Sequence, residues 1–537
     1  MRRGRVGGDV ELDSGGAASQ GVRVCHGRSG WGWILPVGHV PVTWRGLLAA
    51  LCLCGTLARA EDPLAPEPEP GSPAPESGSP SLELGAPRPV LPADAPLRRN
   101  YLVPAIEVAA VDLGLFAFHN LVSREPFALI SWDTVRGHLD GSDGWTFDVD
   151  QFVTNQFAHP YHGSFIFAGA RSSGVPFWQS GLYTFFSSLA WEYFAENEPP
   201  SINDQITTTL GGVFLGEVLH RTYRVLVPEG GGAVGLTRRL AGVVVSPASA
   251  LNDWIFGGQM SPGDIDGLPP LYAELTPGLS LMTRLVDRTG ADAFLILRQG
   301  PQISLSGELT YGAPGNPQWR YRHPFSYFDA TASATFPGVS TANLNIRGLM
   351  VGAQYGGEQS SIRGLWGVFG LYDFGANDIV RVSSVGVGFG TTLQARLGEQ
   401  SFLQSTAILG GLGFAAAGSL DLGPDSPLVR DYHIGPGVQA ILEAKLVRRG
   451  LGMLRVRAKN WWVSGAYTEP HEGYESITYI TWDGRVRVAP HVAVGFEVPL
   501  AWRIYDFGPT AQQAIRGSGL RLTLTYMSDD AFGTAGP

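Results

Sequence analysis

Cysteine is almost missing from this chain: Cys25, Cys52 and Cys54 are its only thiols, and none follows position 54. That removes a paired-cysteine site from nearly the whole sequence. Charge is scarce as well, with Asp, Glu, Lys and Arg at 16% against ~25% in ordinary soluble domains. No basic stripe with interleaved aromatics occurs, so nothing favours a nucleic-acid partner. The net charge of -10 bears on solubility rather than on a ligand. A serine elbow and a phosphate-binding loop are also lacking. Glycine, by contrast, abounds at 72 residues, and aromatics reach 11%. This balance suits closely spaced strands and an aromatic-rich membrane surface. At 537 residues the chain exceeds one ordinary core, which implies two or more structural units.

Residues 1–60 read as an upstream extension and a signal peptide. Trp44 and Arg45 precede the apolar run 46–57, and Ala58-Arg59-Ala60 supplies the small residues that a signal peptidase reads, so cleavage is expected after Ala60. The apolar run is too short for a spanning helix, which needs ~20 residues. Leucine before both Cys52 and Cys54 argues against lipid attachment there. The stretch 1–41 is consistent with a start codon assigned too early. Residues 61–98 are dominated by Pro, Glu, Ser, Gly and Ala, a composition that buries too little apolar surface to offset ordering entropy; they are expected to form a disordered tether.

Residues 99–250 read as a helical module. The run 103–122 is apolar but carries Pro104, Glu107, Asp112 and His119, and the cost of charge in hydrocarbon predicts a helix packed against protein rather than lipid. On a helix over 177–195, Thr184, Ser188 and Glu192 fall at i, i+4 and i+8, with Glu196 one turn further, so they form one polar stripe. Pro199-Pro200 stops that helix. Ser201 is a suitable N-cap for a second helix over 202–225, and Asp204 complements its dipole. Along it, Gly212 and Gly216 permit close approach of another backbone, and Glu217 and Arg221 are spaced to pair. Asn155, His159, His162 and Arg171 add polar groups upstream. His159, His162, Glu192, Glu196 and Asp204 have the residue types for acid/base chemistry or metal ligation, although their spacing matches no zinc signature. The competing reading makes them part of a buried hydrogen-bond network with Asn155, Arg171, Ser201, Asn203, Glu217 and Arg221. Metal and cofactor stay open.

These residues also carry a resemblance. The succession Thr154-Asn155-Gln156-Phe157-Ala158-His159-Pro160-Tyr161-His162-Gly163, then Ala170-Arg171, Phe177-Trp178-Gln179-Ser180, Trp191-Glu192, Glu196 and Pro200-Ser201-Ile202-Asn203-Asp204 resembles an uncharacterised bacterial family, the domain of unknown function 3943. Gly211-Gly212 and Gly216-Glu217 extend the likeness over roughly residues 101–226. The resemblance implies an exported envelope protein and brings no established activity. A narrower likeness, resting on His159, Glu192 and the Ser201 to Asp204 helix start, is to VanZ-like helical envelope proteins.

A glycine-rich break at 229–235, a short helix over 237–249 and a connector over 251–270 lead to a different rhythm. From Leu271 the period becomes two. Ile303, Leu305, Gly307, Leu309 and Tyr311 alternate with Ser304, Ser306, Glu308 and Thr310; Leu454, Val456 and Ala458 alternate with Arg455, Arg457 and Lys459. Gln439, Glu443 and Lys445 interrupt the apolar residues of 438–446 in the same way, and Leu520, Leu522, Leu524 and Tyr526 oppose Arg521, Thr523 and Thr525. One face is oily and the other wet. Strands of membrane length with no open edge predict an α+β chain whose residues 271–527 form an antiparallel transmembrane β-barrel of about 12 strands, with a tail over 528–537. The candidate strands are 271–284, 291–311, 325–336, 342–355, 362–374, 379–397, 401–418, 433–447, 452–467, 475–488, 491–505 and 519–527. Loops 313–324, 421–431 and 507–518 are expected to face outward, and Trp366, Tyr372, Trp461, Trp462, Trp482 and Trp502 to sit at the membrane interfaces.

Two functions follow. The first is an outer-membrane barrel with a structural, transport or envelope-maintenance role, surrounded by outer-membrane lipid and open to a small solute. Its helical module would lie beneath the barrel or plug it, bringing Arg171, Glu192 and Glu196 to Arg455, Arg457, Glu443 and Lys445. The second is an envelope hydrolase acting on lipid or glycan, with His159 or His162 as base and Glu192, Glu196 or Asp204 as acid, orienting group or metal ligand.

Overall fold

The computed structural model describes residues 99–534, apart from 149, 229–233, 257–259, 261–268, 288–293, 299, 337–341, 377–380, 419–431, 469–472 and 507–512. The expected export signal, its cleavage after Ala60 and the Pro-rich tether lie outside the described residues. Helices come first and strands second. The helices are α1 (Leu102–Ala117, continued as a π-turn to Ser123), α2 (Trp132–Asp140), α3 (His159–Ser172), α4 (Phe177–Phe194), α5 (Ile202–Ile206), α6 (Gly212–Leu226), α7 (Leu236–Val245) and α8 (Pro247–Phe256). A π-turn over Thr207–Gly211 joins α5 to α6, so the two run on as one long helix.

The strands are β1 (Leu271–Asp287), β2 (Phe294–Arg298 resuming at Gln302–Tyr311), β3 (Phe328–Phe336), β4 (Ala342–Tyr355), β5 (Ile362–Ala376), β6 (Arg381–Arg396), β7 (Ser401–Gly418), β8 (Tyr432–Arg448), β9 (Gly452–Ser464), β10 (Tyr474–Ala489), β11 (Val492–Asp506) and β12 (Gln513–Met527). Both pieces of β2 pair with the same edge of β1, Arg298 opposite Thr283 and Gln302 opposite Ser280, so they fill one interrupted strand position. Every neighbour pairs antiparallel, and β12 returns to β1 from Met527 opposite Glu274 to Ala514 opposite Asp287. The sheet is a closed barrel of twelve strand positions, which leaves no free edge in hydrocarbon.

Alternation separates the faces as the sequence predicts. Arg455, Gln439, Glu443 and Lys445 are buried inside, while Leu454, Val438, Leu442 and Leu446 are exposed outside. Bulges at Leu349/Val351 and Leu412/Ala415 shift the register locally. The end holding Leu271 and Met527, here the terminal end, also carries the short turns at 397–400, 449–451 and 490–491. In membrane barrels such short turns face the periplasm. The loop 313–324 joins β2 to β3 at this same end, whereas 421–431 and 507–512, both outside the described residues, join strands at the far end; the three loops therefore do not share a side. Two of the expected interface aromatics turn elsewhere: Tyr372 is buried on the outer wall, and Trp461 is buried inside the lumen.

The helices do not enter the lumen. They pack on the outside of the wall between β2 and β8, reaching only the far-end parts of β6 and β7, against outward apolar side chains: Ala330, Ala332 and Ala334 of β3, Leu344 and Ile346 of β4, Tyr372 and Phe374 of β5, and Phe414 of β7 share one buried cluster with Phe157, Phe167, Phe177 and Phe214. Phe214 meets Gly370 near the middle of β5, where a Cβ would stand 2.9 Å from its ring. The helix expected over 103–122 is not packed on all sides. It extends over Leu102–Ser123 with a mean hydropathy of 1.6, and only 6% of its most apolar stretch is buried. Its ionisable groups turn inward: Asp112 meets His162 and Ser187, and Glu107 lies against Gly169.

Candidate functional site

Two polar regions stand out, the lumen and the interior of the helical module. In the lumen, strand side chains brace the barrel across its width. Arg455 donates to Glu308 on the opposite wall at 2.8 and 2.9 Å and to Asp483 at 2.7 Å. Arg485 donates to Glu274 at 2.6 Å, Arg347 to Glu443 at 2.7 Å, and Lys459 to Asp373 at 2.9 Å. Buried pairs of this kind hold where each charge is matched by an opposite one. Between them lies a cavity of about 160 Å³ lined by charged groups of both signs, including Glu308, Asp373, Arg457 and Arg521.

The terminal mouth of the lumen is filled by the chain's own tail. Phe532 is buried among Tyr272, Val447, Met453, Ala493 and Met527, all on lumen-facing strand positions. Lys445 Nζ donates to the Phe532 carbonyl at 2.8 Å, and Gln394 Nε2 to the Gly533 carbonyl at 3.2 Å. Arg487 pairs with Asp530 at 3.2 Å, and Ser528 Oγ accepts from Ala273 N–H at 2.9 Å. Phe532 adopts a left-handed φ of 52°, costly for a side chain of that size, so the insertion is held by its surroundings.

Inside the module the polar groups divide between its two ends. At the terminal end, Arg171 donates to both oxygens of Glu217 at 2.7 and 3.1 Å, and Arg221 donates to Glu217 Oε1 at 2.7 Å. Arg221 also reaches the Pro324 carbonyl of the barrel loop at 2.9 Å, which ties the helices to the wall. At the far end, level with the strand ends that carry Phe374 and Tyr432, the remaining candidates gather. Ser201 caps α5 by accepting from Asp204 N–H at 3.2 Å, and Glu192 Oε2 accepts from Ser201 N–H at 2.7 Å. Trp191 Nε1 donates to Glu196 at 2.6 Å. Asn155 and Asn203 both donate to Asp148, the second at 2.7 Å, and Asn203 also donates to Asp204 at 3.0 Å. His159 stands 3.8 Å from Asp204 and 3.3 Å from Thr208 Oγ1. His162 lies apart from this group, 3.1 Å from Asp112.

Burial pushes Glu196, which lies beyond the end of α4, up to about 8, so its carboxyl stays neutral over a wider range of pH. Among the described residues, no three His, Cys, Asp or Glu side chains are placed to hold a metal ion. Arg171, Glu192 and Glu196 make none of the lumen contacts that a plug would have given them; Arg455 has Glu308 and Asp483, and Glu443 has Arg347. Sequence reasoning overlooked Asp112 and Asp148 as partners of the histidines and asparagines, and overlooked the tail. Asp148 sits in a loop, where no periodicity marks it.

A closed barrel with an apolar outside and a charged inside defines a transmembrane β-barrel of the outer-membrane type, here with helices docked on its wall. Residues 144–248 match the model of the family described as Domain of unknown function (DUF3943). No curated protein matches the chain. Among solved structures it is similar to an outer membrane channel from Pseudomonas putida F1, at 8% identity and a TM-score of 0.26 over 50% of this chain and 99% of that one. It is also similar to the NanC porin, at 7% identity and a TM-score of 0.22 over 45% and 98%. A Pseudomonas aeruginosa FadL homologue aligns at 9% identity and a TM-score of 0.21 over 49% and 90%.

Proposed function

We propose that the protein passes a small polar solute across the outer membrane through a lumen that its own C-terminal tail keeps shut. The observation that carries this reading is the charged cavity of about 160 Å³ enclosed by the barrel, with Phe532 seated in its terminal mouth. Matched charges of both signs suit a polar or zwitterionic solute, which can exchange for the internal ion pairs as it moves. A purely structural barrel has no need for such a space. The hydrolase reading of the helical residues has less support, because Glu192, Glu196, Asp204 and His162 are each engaged with protein partners.

The test is conductance in planar bilayers. The intact protein is expected to show rare, low-conductance openings, and Phe532→Ala, with the tail otherwise kept, frequent and larger ones. Silence from both proteins, with insertion verified by protease protection, ends the transport reading. A steadily open intact protein ends the shut-tail part alone.

A further inference from the structure

A transmembrane barrel meets lipid over the whole of its outer wall except where protein covers it. The helical module covers one sector at mid-height, as the contact between Phe214 and Gly370 marks. On the uncovered wall beside it, Phe389 and Leu409 lie near the middles of β6 and β7 and are 60% and 68% exposed. The helices stand along the barrel rather than beyond its ends. Arg221 touches the terminal-end loop at Pro324, and the same continuous helix begins at the far end, where Asn203 meets Asp148. The 18 residues of α4 alone cover about 27 Å at 1.5 Å per residue, close to the ~30 Å of a hydrocarbon core.

The module's own outward face is apolar at that height. Leu113 of α1 and Phe186 of α4 are 67% and 59% exposed. The Arg171–Glu217–Arg221 triad, which begins one helical turn from Phe214, is fully buried inside the bundle with its charges paired, and the Asp148, Glu192 and Asp204 group gathers at the far end. Asp112 and His162, which lie between, face each other inside the bundle.

We infer that the helical module is itself immersed in the outer membrane, its outward face in contact with lipid acyl chains and continuous with the lipid-facing band of the barrel. The inference rests on the transmembrane reading of the barrel, since a bundle docked at mid-height on a spanning wall displaces lipid and must meet lipid in turn. It also assigns the 22-residue helix Leu102–Ser123 to the bilayer, with its polar residues turned to the protein. Two membrane architectures, a strand barrel and a helical bundle, then share one patch of bilayer.

The experiment is spin labelling of the full chain with Cys25, Cys52 and Cys54 replaced by serine. Single cysteines are placed at Leu113 and Phe186 on the helices and at Phe389 and Leu409 on the barrel, and the protein is reconstituted in phosphatidylethanolamine and phosphatidylglycerol vesicles. Collisions with oxygen, which concentrates in hydrocarbon, are compared with those of a water-soluble nickel chelate. Oxygen is expected to prevail at all four sites. If the nickel chelate prevails at Leu113 and Phe186 while oxygen prevails on the barrel, the helices stand in water and the inference is overturned. Protection of the two helix sites from both reagents overturns it as well, since a second protein surface then covers that face. Nickel prevailing at Phe389 and Leu409 too would instead sink the transmembrane reading of the barrel.

Discussion

At the scale of the residue, the far-end carboxyls set a dependence on pH. Glu196 has a native pKa of about 8 against 4.5 in the unfolded chain, so the folded protein binds the extra proton between those values. Stability from this group is therefore complete below about pH 4.5 and is lost as pH rises through about 8. The detergent-solubilised protein is expected to unfold at a higher temperature at pH 5.5 than at pH 9, and Glu196→Gln, which cannot ionise, to shrink that difference. A Gln variant with the full pH response would assign the effect to another group. The polar stripe of Thr184, Ser188 and Glu192 was legible from spacing alone, and all three are buried. Its partners were not: Asp148 and Asp112 reach the candidates across 55 and 50 residues, and only the tertiary fold fixes those distances.

At the scale of the element, the decisive contact is the crossing of α3 and α6. A Cβ on Gly212 would stand 2.7 Å from the Gly163 backbone, with no flexible side chain to give way. Gly212→Ala is expected to force the helices apart at a cost of about 1–3 kcal/mol. Gly114→Ala in α1, where nothing lies within 4 Å, is expected to be neutral or slightly stabilising. Chemical denaturation of both variants checks the contrast, and equal stabilities would mean the crossing can relax. The glycine spacing announced this crossing in the sequence, and the barrel strands were read nearly to their ends because a two-residue period survives local irregularity. What escaped was irregularity itself: the break in β2, the π-turn at Thr207–Gly211, and the division of the helix expected over 237–249 into α7 and α8. Two of these had local causes that the periodicity masked, Gly300-Pro301 at the break in β2 and Pro247 at the start of α8, whereas no breaker residue marks the π-turn.

At the scale of the whole molecule, the question left open by the sequence was the side on which helices meet barrel. Ala330, Ala332 and Ala334 alternate with Thr331, Ser333 and Thr335 as any half-apolar strand does, and the pattern reads the same whether lipid or helix covers the alanines. The covered wall mixes small with large apolar side chains, Ala330, Ala332 and Ala334 beside Tyr372, Phe374 and Phe414, and aromatic rings from the helices pack against them. A chain lacking residues 99–256 is therefore expected to close its barrel yet lose heat resistance, measured as a lower temperature for the gel-mobility shift of the folded form in SDS. An unchanged shift would mean the wall is self-sufficient. The order of parts along the chain gives this dock a further meaning. The helices are synthesised ahead of every strand they lean on, so they exist before their berth does. Until β8 is in place, the ring of Phe152 lacks Tyr432 and the Asn155 amide lacks its phenol. Completion of the wall as far as β8, with four strands still to follow, is thus also the step at which the helices find their seat.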